Sequence, residues 1–354
     1  MPQRGKRDYP GVLPAQIQKD GFIMHLLPAV KKYFKANLHT HSHISDGVLS
    51  PEEMIRMYRD RGYDILCMTD HNVIAQHQKE NREDFLLLTG VEINLNNIGE
   101  RPKYVRTYHI LFISKDPYNL WQPVEPPRMR PKAAPYEALV QAESMACNYD
   151  IRSVNAMIAR AKEQGFLAAY CHPEWSGQVY PDYAQLQGIW AMEIRNNDCS
   201  LMGMDLNNNW VYQNLLEQGK NIFPLANDDA HKPEHVGGAW IRVGAEKLEY
   251  GCVMEALERG EFYASCGPEI HSLTLEGDTL SVTCSDAARI VLHTQCRVNM
   301  NLQPEAGQTL KEGQFDLSQW RDVSEGDPNA FIRLMVYAPD GTFAATRAYW
   351  LRDF

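Results

Sequence analysis

No two of the eight cysteines form a Cys-x-x-Cys pair, and their spacing follows no pattern. That excludes a thiolate zinc knuckle and a disulfide framework, and it reads as reduced thiols in a cytoplasmic protein. Positive charge is also short. The formal net charge is −10, so no broad basic face is expected for nucleic acid or for an anionic membrane. Long apolar runs are missing. The stretch 21–30 is short and broken by His25 and Pro28, neither a signal peptide in the usual position nor long enough to span a bilayer. Internal repeats and low-complexity tracts are absent too. The chain is still well stocked for a core, with 44% hydrophobic and 23% charged residues over 354 positions. Two domains, or one large α/β unit with an appendage, is the expectation.

What the chain has in quantity is histidine near the ends of apolar runs. The stretch 37–48, NLHTHSHISDGV, carries His39, His41, His43 and Asp46 within eight residues. A strand ending in His-x-His sends both imidazoles to one face, because strand side chains alternate. Two imidazoles with a carboxylate just beyond begin a divalent-metal site. Gly47 is expected to supply a backbone conformation that other residues avoid. Ser50-Pro51-Glu52-Glu53 then predicts a capped helix to about Arg61, stopping at Gly62.

Further strands are predicted at 63–69, 85–91, 108–114, 166–171, 188–195 and 221–226. They deliver Asp70-His71, Glu92, His109, His172, Arg195 and Asp228-Asp229-Ala230-His231. Such alternation of strand, polar residue and connection predicts an α/β arrangement with its ligands gathered on one rim. Between them, 115–135 holds six prolines, Trp121 and the basic run Arg128-Met129-Arg130. That insertion reads either as a lid or as a surface loop pinned by proline. One or two helices are expected over 136–165, and another over 252–259, ended by Gly260. Beyond a joint at 261–268, short alternating strands without helical periodicity predict a small antiparallel β-sandwich over 269–354. Residues 1–30 read as an arm lying on the main domain, which spans 31–268.

These pieces together resemble the PHP (polymerase and histidinol phosphatase) superfamily. The matching motifs are LHTHSHISDG at 38–47, TDH at 69–71, GVE at 90–92, HIL at 109–111, CHP at 171–173 and DDAH at 228–231. The resemblance covers roughly 33–268. With FYASCGP and the β region after it, the chain looks like the carbaryl-hydrolase-like branch. It implies a distorted (β/α)7 barrel with two or three divalent metals (Mn, Fe or Zn) at the strand ends. It also implies that His39, His41, Glu92 and Asp229 hold one metal, and that Glu92 with His109 and His172 holds a second. Asp46, His71 and His231 would hold a third or stay free of metal. Two bridged metals lower the pKa of a shared water and clamp the oxygens of an in-line displacement. Asp229 would accept the water's proton, and His71 or His231 would protonate the leaving group.

Several residues carry competing readings. Arg195 either forks onto a phosphate or forms a rim ion pair. His109, in an apolar strand, is either a ligand or a hydrogen-bonded core histidine. Trp175 either walls the pocket or fills the core. His43 is extra to the pattern, and His77, His235, His25, His271 and His293 have no motif around them. The leading expectation is a phosphoesterase acting on a small, anionic, phosphorylated molecule, without nucleic-acid or membrane partners. The alternative is a hydrolase of carboxylic esters, carbamates or amides.

Overall fold

The computed structural model describes residues 18–20, 23–97, 106–127, 131–145 and 148–354. The basic run at 128–130 lies outside these, as do residues 1–17 of the expected arm.

Strands form where the sequence runs apolar. Ile65–Met68, Phe166–Tyr170 and Phe223–Asn227 are buried along their whole length, as strands covered on both faces must be. The helix Pro51–Asp60 opens with the expected capping box. Ser50 N donates to Glu53 Oε2 at 2.8 Å, and Glu53 N donates to Ser50 Oγ at 3.2 Å. Its buried Met54, Ile55 and Tyr58 pack on Tyr63, Leu66 and Phe85. The 136–165 stretch resolves into Ala134–Glu137 and Ile151–Glu163, the second capped by Asp150. Helix Tyr250–Arg259 ends at Gly260, whose φ of +67° is the left-handed conformation glycine adopts at low cost.

One large sheet runs through the molecule. Its order is Phe223–Asn227, Ala191–Asn196, Phe166–Tyr170, Thr107–Ser114, Leu86–Asn96, Ile65–Met68, Phe34–Asn37, Trp240–Val243, Phe262–Ser265 and then the C-terminal strands. Two differences from the sequence reading matter for the site. First, the strand expected to stop at Glu92 continues to Asn96, so Glu92 sits mid-strand. Its neighbour Thr107–Ser114 is antiparallel to it, with Asn94 opposite His109. Reversal of direction brings the start of that strand, and His109 with it, to the rim where the parallel strands end.

Second, the described strands make an open, curled sheet and not the closed (β/α)7 barrel. The edge of Phe34–Asn37 that would complete a barrel is taken by Trp240–Val243, which pairs with it antiparallel. Phe223–Asn227 therefore meets the first strand only beyond its end. There Asp229 N donates to His39 O (3.0 Å), His41 N donates to Ala230 O (2.9 Å), and Thr40 bridges Ala230.

The sheet also runs across the expected joint at residue 268. Phe262–Ser265 pairs with Phe343–Ala345, which leads to Phe331–Tyr337 and Arg289–Thr294. A second sheet combines Ile270–Glu276, Thr279–Ala287 and Leu310–Asp316 with Ile23–His25 and Gln18–Asp20. The arm thus adds strands to the C-terminal β region, since Leu275 pairs with Met24. The two layers share an apolar core that includes Leu273, Val282, Phe315, Leu292, Leu334 and Trp320. Trp320 lies on a helix, Ser318–Ser324, in a region where no helical periodicity was expected. Among the described residues no helix is long and apolar enough to cross a membrane.

Candidate metal centre

The strand ends converge on one buried cluster that includes all nine sequence-predicted ligands. The His-x-His pair behaves as period-two alternation requires. His39 Nε2 lies 3.2 Å from Glu92 Oε2 and 3.1 Å from Asp229 Oδ1. His41 Nε2 lies 3.2 and 2.9 Å from the same two atoms. On the Glu92 side, His109 Nδ1 is 2.7 Å from Oε1, His71 Nδ1 is 3.0 Å from Oε2, and His172 Nε2 is 3.4 Å from Oε1. Asp46 closes the outer side. Its carboxylate is 3.7 Å from His71 Nε2 and 3.5 Å from His231 Nε2.

Among the described residues five overlapping groups have ligand atoms close enough to share an ion: His39, His41, Glu92 and Asp229; His71, Glu92 and His109; His41, Asp46, His71 and His231; His39, Cys171, His172 and Glu193; and Asp198, His231 and His235. Whether a cation fits is answered by five atoms. His39 Nε2, His41 Nε2, His71 Nδ1, Glu92 Oε2 and Asp229 Oδ1 are all buried and, although they lie 2.9–3.2 Å from one another, none is in hydrogen-bonding geometry. A buried polar atom left unpaired costs about 1–3 kcal/mol, so five at one place are explained most economically by a ligand that satisfies them together. The set is nitrogen and oxygen, which suits a borderline or hard divalent cation.

Electrostatics agree. Burial pushes the Glu92 and Asp229 carboxyls up, but His109, His39 and His71 around Glu92, and His39 and His41 around Asp229, hold both well below the usual range. Burial pushes His109 down to about 4 against the pull of Glu92, so its imidazole is neutral, as a ligand must be. For His39, burial opposes protonation, but Asp229, Glu92 and Glu193 outweigh it and raise the pKa; protons therefore compete with a cation here.

A second layer of residues, to which the sequence reading gave no role, orients the cluster. Glu193 accepts from Asn227 Nδ2 (2.9 Å), Asn196 Nδ2 (2.9 Å) and His172 N (3.2 Å), and its Oε1 is 2.8 Å from His39 Nδ1. That contact turns Nε2 of His39 toward Glu92. Asp70 accepts from Ser42 N, Ser42 Oγ and Ser45 Oγ at 2.8 Å each and from Ser45 N at 3.1 Å. It thereby shapes the turn between His41 and Asp46. Asn196 Nδ2 donates to Asp229 Oδ2 at 3.1 Å. Asp228 faces the other way, accepting from the amides of Gly237, Gly238 and Ala239. The available signal for Glu193 and Asp70 was a lone carboxylate in or beside a fully apolar strand, which is rarely buried without a partner.

Backbone strain also gathers here. His172 has φ +23° and Asp229 has φ +51°, unusual values for residues with a Cβ. Gly47, by contrast, has no positive φ. It is needed because a Cβ there would stand 2.5 Å from His41 O.

The other sequence candidates divide. Trp175 does wall the cluster, its ring centroid 5.0 Å from His172 and 5.4 Å from His109. Arg195 is turned to Asp205 (Nη1 to Oδ2, 3.6 Å), because Glu193 and Asn196 take the cluster side across a register shift in that strand. His43 lines a cleft beside Asp46 with Pro131 and Lys132 from the proline-rich insertion. His235 has a place that no sequence motif marked. Its Nδ1 is 3.2 Å from Asp198 Oδ1, and Asp198 Oδ2 is 3.3 Å from His231 Nδ1.

Comparison with known proteins gives this geometry a context. A 5'-3' exoribonuclease of Haemophilus influenzae is 40% identical over 90 residues, which is 24% of this chain and 30% of that protein. The match thus spans less than a third of the relative's length. A two-domain protein from Bacteroides vulgatus, containing a predicted PHP-like metal-dependent phosphoesterase, is 17% identical with a TM-score of 0.44, covering 94% of this chain and 99% of that one. A lesion-specific endonuclease from Pyrococcus furiosus is 16% identical with a TM-score of 0.37, covering 64% of this chain and 56% of that one. The PHP domain family model matches residues 37–186, the stretch that supplies His39 through His172, while Asp229 and His231 come from beyond it. Over residues 37–186 the chain is similar to the PHP domain family.

Proposed function

We propose that this chain is a metal-dependent hydrolase of ester bonds, acting as a phosphoesterase on a small phosphorylated metabolite. The observation that carries the reading is the convergence of five buried atoms without hydrogen bonds, from His39, His41, His71, Glu92 and Asp229. In this reading His39, His41, Glu92 and Asp229 hold one divalent cation, and Glu92 with His109 and His172 holds a second. Asp46, His71 and His231 hold a third or remain free of metal. When bound, such cations (Mn, Fe or Zn) supply Lewis acidity at the phosphoryl oxygens and lower the cost of ionising the attacking water.

The protein's own groups do the rest. Asp229, its Oδ2 held by Asn196, keeps Oδ1 toward the centre and is placed to take the water's proton. His231 has its Nδ1 held 2.9 Å from Asp229 O and presents Nε2 on the Asp46 side. Burial opposes its protonated form, but Asp198 and Asp46 outweigh burial and raise its pKa to about 11, so it can carry the proton the leaving oxygen needs. His71 is the other donor on that side. Arg195, turned to Asp205, has no assigned contact with the phosphate. The seven described cysteines are all free, which suits the reducing cytoplasm expected from the sequence.

A second reading is hydrolysis of a phosphodiester at the end of a nucleic acid. The 90-residue similarity to a relative named a 5'-3' exoribonuclease favours it, and the net charge of −10 limits it to short contacts.

The test is turnover by Mn-loaded protein and its Asp229→Ala variant on three substrate sets: phosphomonoesters, 5'-phosphorylated short RNA, and aryl carboxylic esters with carbamates. Phosphomonoester turnover that vanishes in the variant is expected. Turnover of RNA alone supports the second reading. Turnover confined to carbonyl substrates overturns both.

A further inference from the structure

Exposed apolar side chains follow Asp198, which lies against His231 at the edge of the cluster. Leu201, Met202, Met204, Leu206 and Trp210 fall within ten residues, and Leu206 and Trp210 are 82% and 65% exposed. A single exposed leucine needs no explanation, but a run of five beside a buried polar site does. The segment is fixed at both ends to the site. At one end Asp198 lies against His231 and His235. At the other, Glu174 accepts from Asn207 N at 2.7 Å and from Asn207 Nδ2 at 3.0 Å, and Glu174 N donates to Asn208 Oδ1 at 3.1 Å. Glu174 is the chain neighbour of Trp175.

Trp175 follows Glu174, which holds Asn207 and Asn208, and its ring reaches the cluster. Its indole meets His172 and His109 edge to face, yet 36% of the residue remains exposed. An indole used only to prop two imidazoles would gain by being covered. Here part of it touches candidate ligands and part stays open. A phosphoester with its phosphorus at Glu92 and Asp229 must send its alcohol portion out of the cluster. A group leaving on the His109 and His172 side meets the indole within the first few atoms. A planar ring there gains burial and stacking at once, whereas a short alkyl or polyol chain gains little of either.

We propose that Trp175 is a specificity-determining residue whose exposed indole receives a planar aromatic ring on the alcohol side of the ester. The ring belongs either to an aryl alcohol or to the base of a nucleoside. This inference rests on the phosphoesterase reading.

The test compares Mn-loaded wild type, Trp175→Ala and Trp175→Phe. Calorimetry gives Kd for phenylphosphonate and methylphosphonate, neither of which turns over. Steady-state kinetics follow phenyl phosphate, adenosine 5'-phosphate and methyl phosphate, and elemental analysis gives the bound metal. In Trp175→Ala, phenylphosphonate is expected to bind about 5- to 100-fold more weakly, the loss of one ring-stacking contact. Methylphosphonate should stay within about twofold, the metal content should be unchanged, and Trp175→Phe should recover most of the loss. A KM rise confined to phenyl phosphate assigns the ring to an aryl alcohol, and one shared by adenosine 5'-phosphate assigns it to a base as well. Equal weakening of both phosphonates, no weakening of either, or loss of metal from Trp175→Ala overturns the proposal, leaving the indole as a prop for the histidines. If wild type binds neither phosphonate and turns over no phosphate ester, the phosphoesterase reading falls and takes the subsite with it.

Discussion

Asp70→Ala is the perturbation that best exposes how the site is held. The Asp70 carboxylate is 1% exposed and takes four hydrogen bonds from Ser42 and Ser45. Ser45 N has a second acceptor in Ser42 O at 3.1 Å, so it is only partly stranded when the carboxylate goes. Among the described residues, Ser42 N donates to Asp70 alone. One orphaned amide costs about 1–3 kcal/mol, and two hydroxyl bonds to a carboxylate add about 1 kcal/mol each or somewhat more. The sum is a loss of about 3–5 kcal/mol, large against the ordinary stability of a domain. Asp70→Asn keeps an oxygen where both amides donate and should cost about 1 kcal/mol. The turn from Ser42 to Ser45 lies between His41 and Asp46, so the alanine variant should also bind Mn more weakly, by about tenfold or more. Urea unfolding with chelator and with Mn measures both effects. An alanine variant within about 1 kcal/mol of wild type, with unchanged metal affinity, would refute the reasoning.

Two further perturbations follow from the same layer. Glu193→Gln keeps the volume but weakens the hold on His39 Nδ1; Mn affinity should fall about 10- to 100-fold with little change in unfolding midpoint, and unchanged affinity in a calorimetric titration would contradict the orienting role. Asp205 is raised to about 7, chiefly by burial, against the pull of Asn196 N, Arg195 and Asn208. An acid whose folded pKa lies above its unfolded value adds stability below the unfolded pKa, about 4, and loses it as pH rises toward the folded one. Stability should therefore fall between about pH 4 and 7, by on the order of 4 kcal/mol from this group. Asp205→Asn should flatten that slope in urea titrations, and an unaltered slope would count against the assignment.

The candidate ligands were legible because metal chemistry constrains residue type and strand geometry constrains spacing. His39 and His41 had to share a face, and His71, His172 and Asp229 each follow an apolar strand too buried to be anything but central. Other features depend on contacts distant in sequence. The pairing of Ile23–His25 with Ile270–Glu276 is set by what each strand finds unpaired after the rest has folded. Trp240–Val243 takes the barrel-closing edge of Phe34–Asn37 for the same kind of reason. Glu193 escaped notice, and Asp70 was seen in the TDH motif without its orienting role, because a carboxylate that orients a ligand has no spacing rule of its own. Arg195 carried two readings, a phosphate fork and a rim ion pair, and the structure turns it to Asp205 beside a register shift that the sequence does not announce. The positive φ of His172 and Asp229 is likewise invisible where no glycine marks it.

The central claim is that the Glu92 and Asp229 cluster holds the divalent cations on which hydrolysis depends. The most direct measurement is bound metal per chain by elemental analysis, for wild type and for Glu92→Gln, with phosphoester turnover followed as Mn is titrated into chelator-stripped protein. The account predicts two or more cations per wild-type chain, at least one fewer in Glu92→Gln, and turnover that returns with metal occupancy only in wild type. Wild-type protein that retains no cation, or stripped protein that turns over at the full rate, would contradict it.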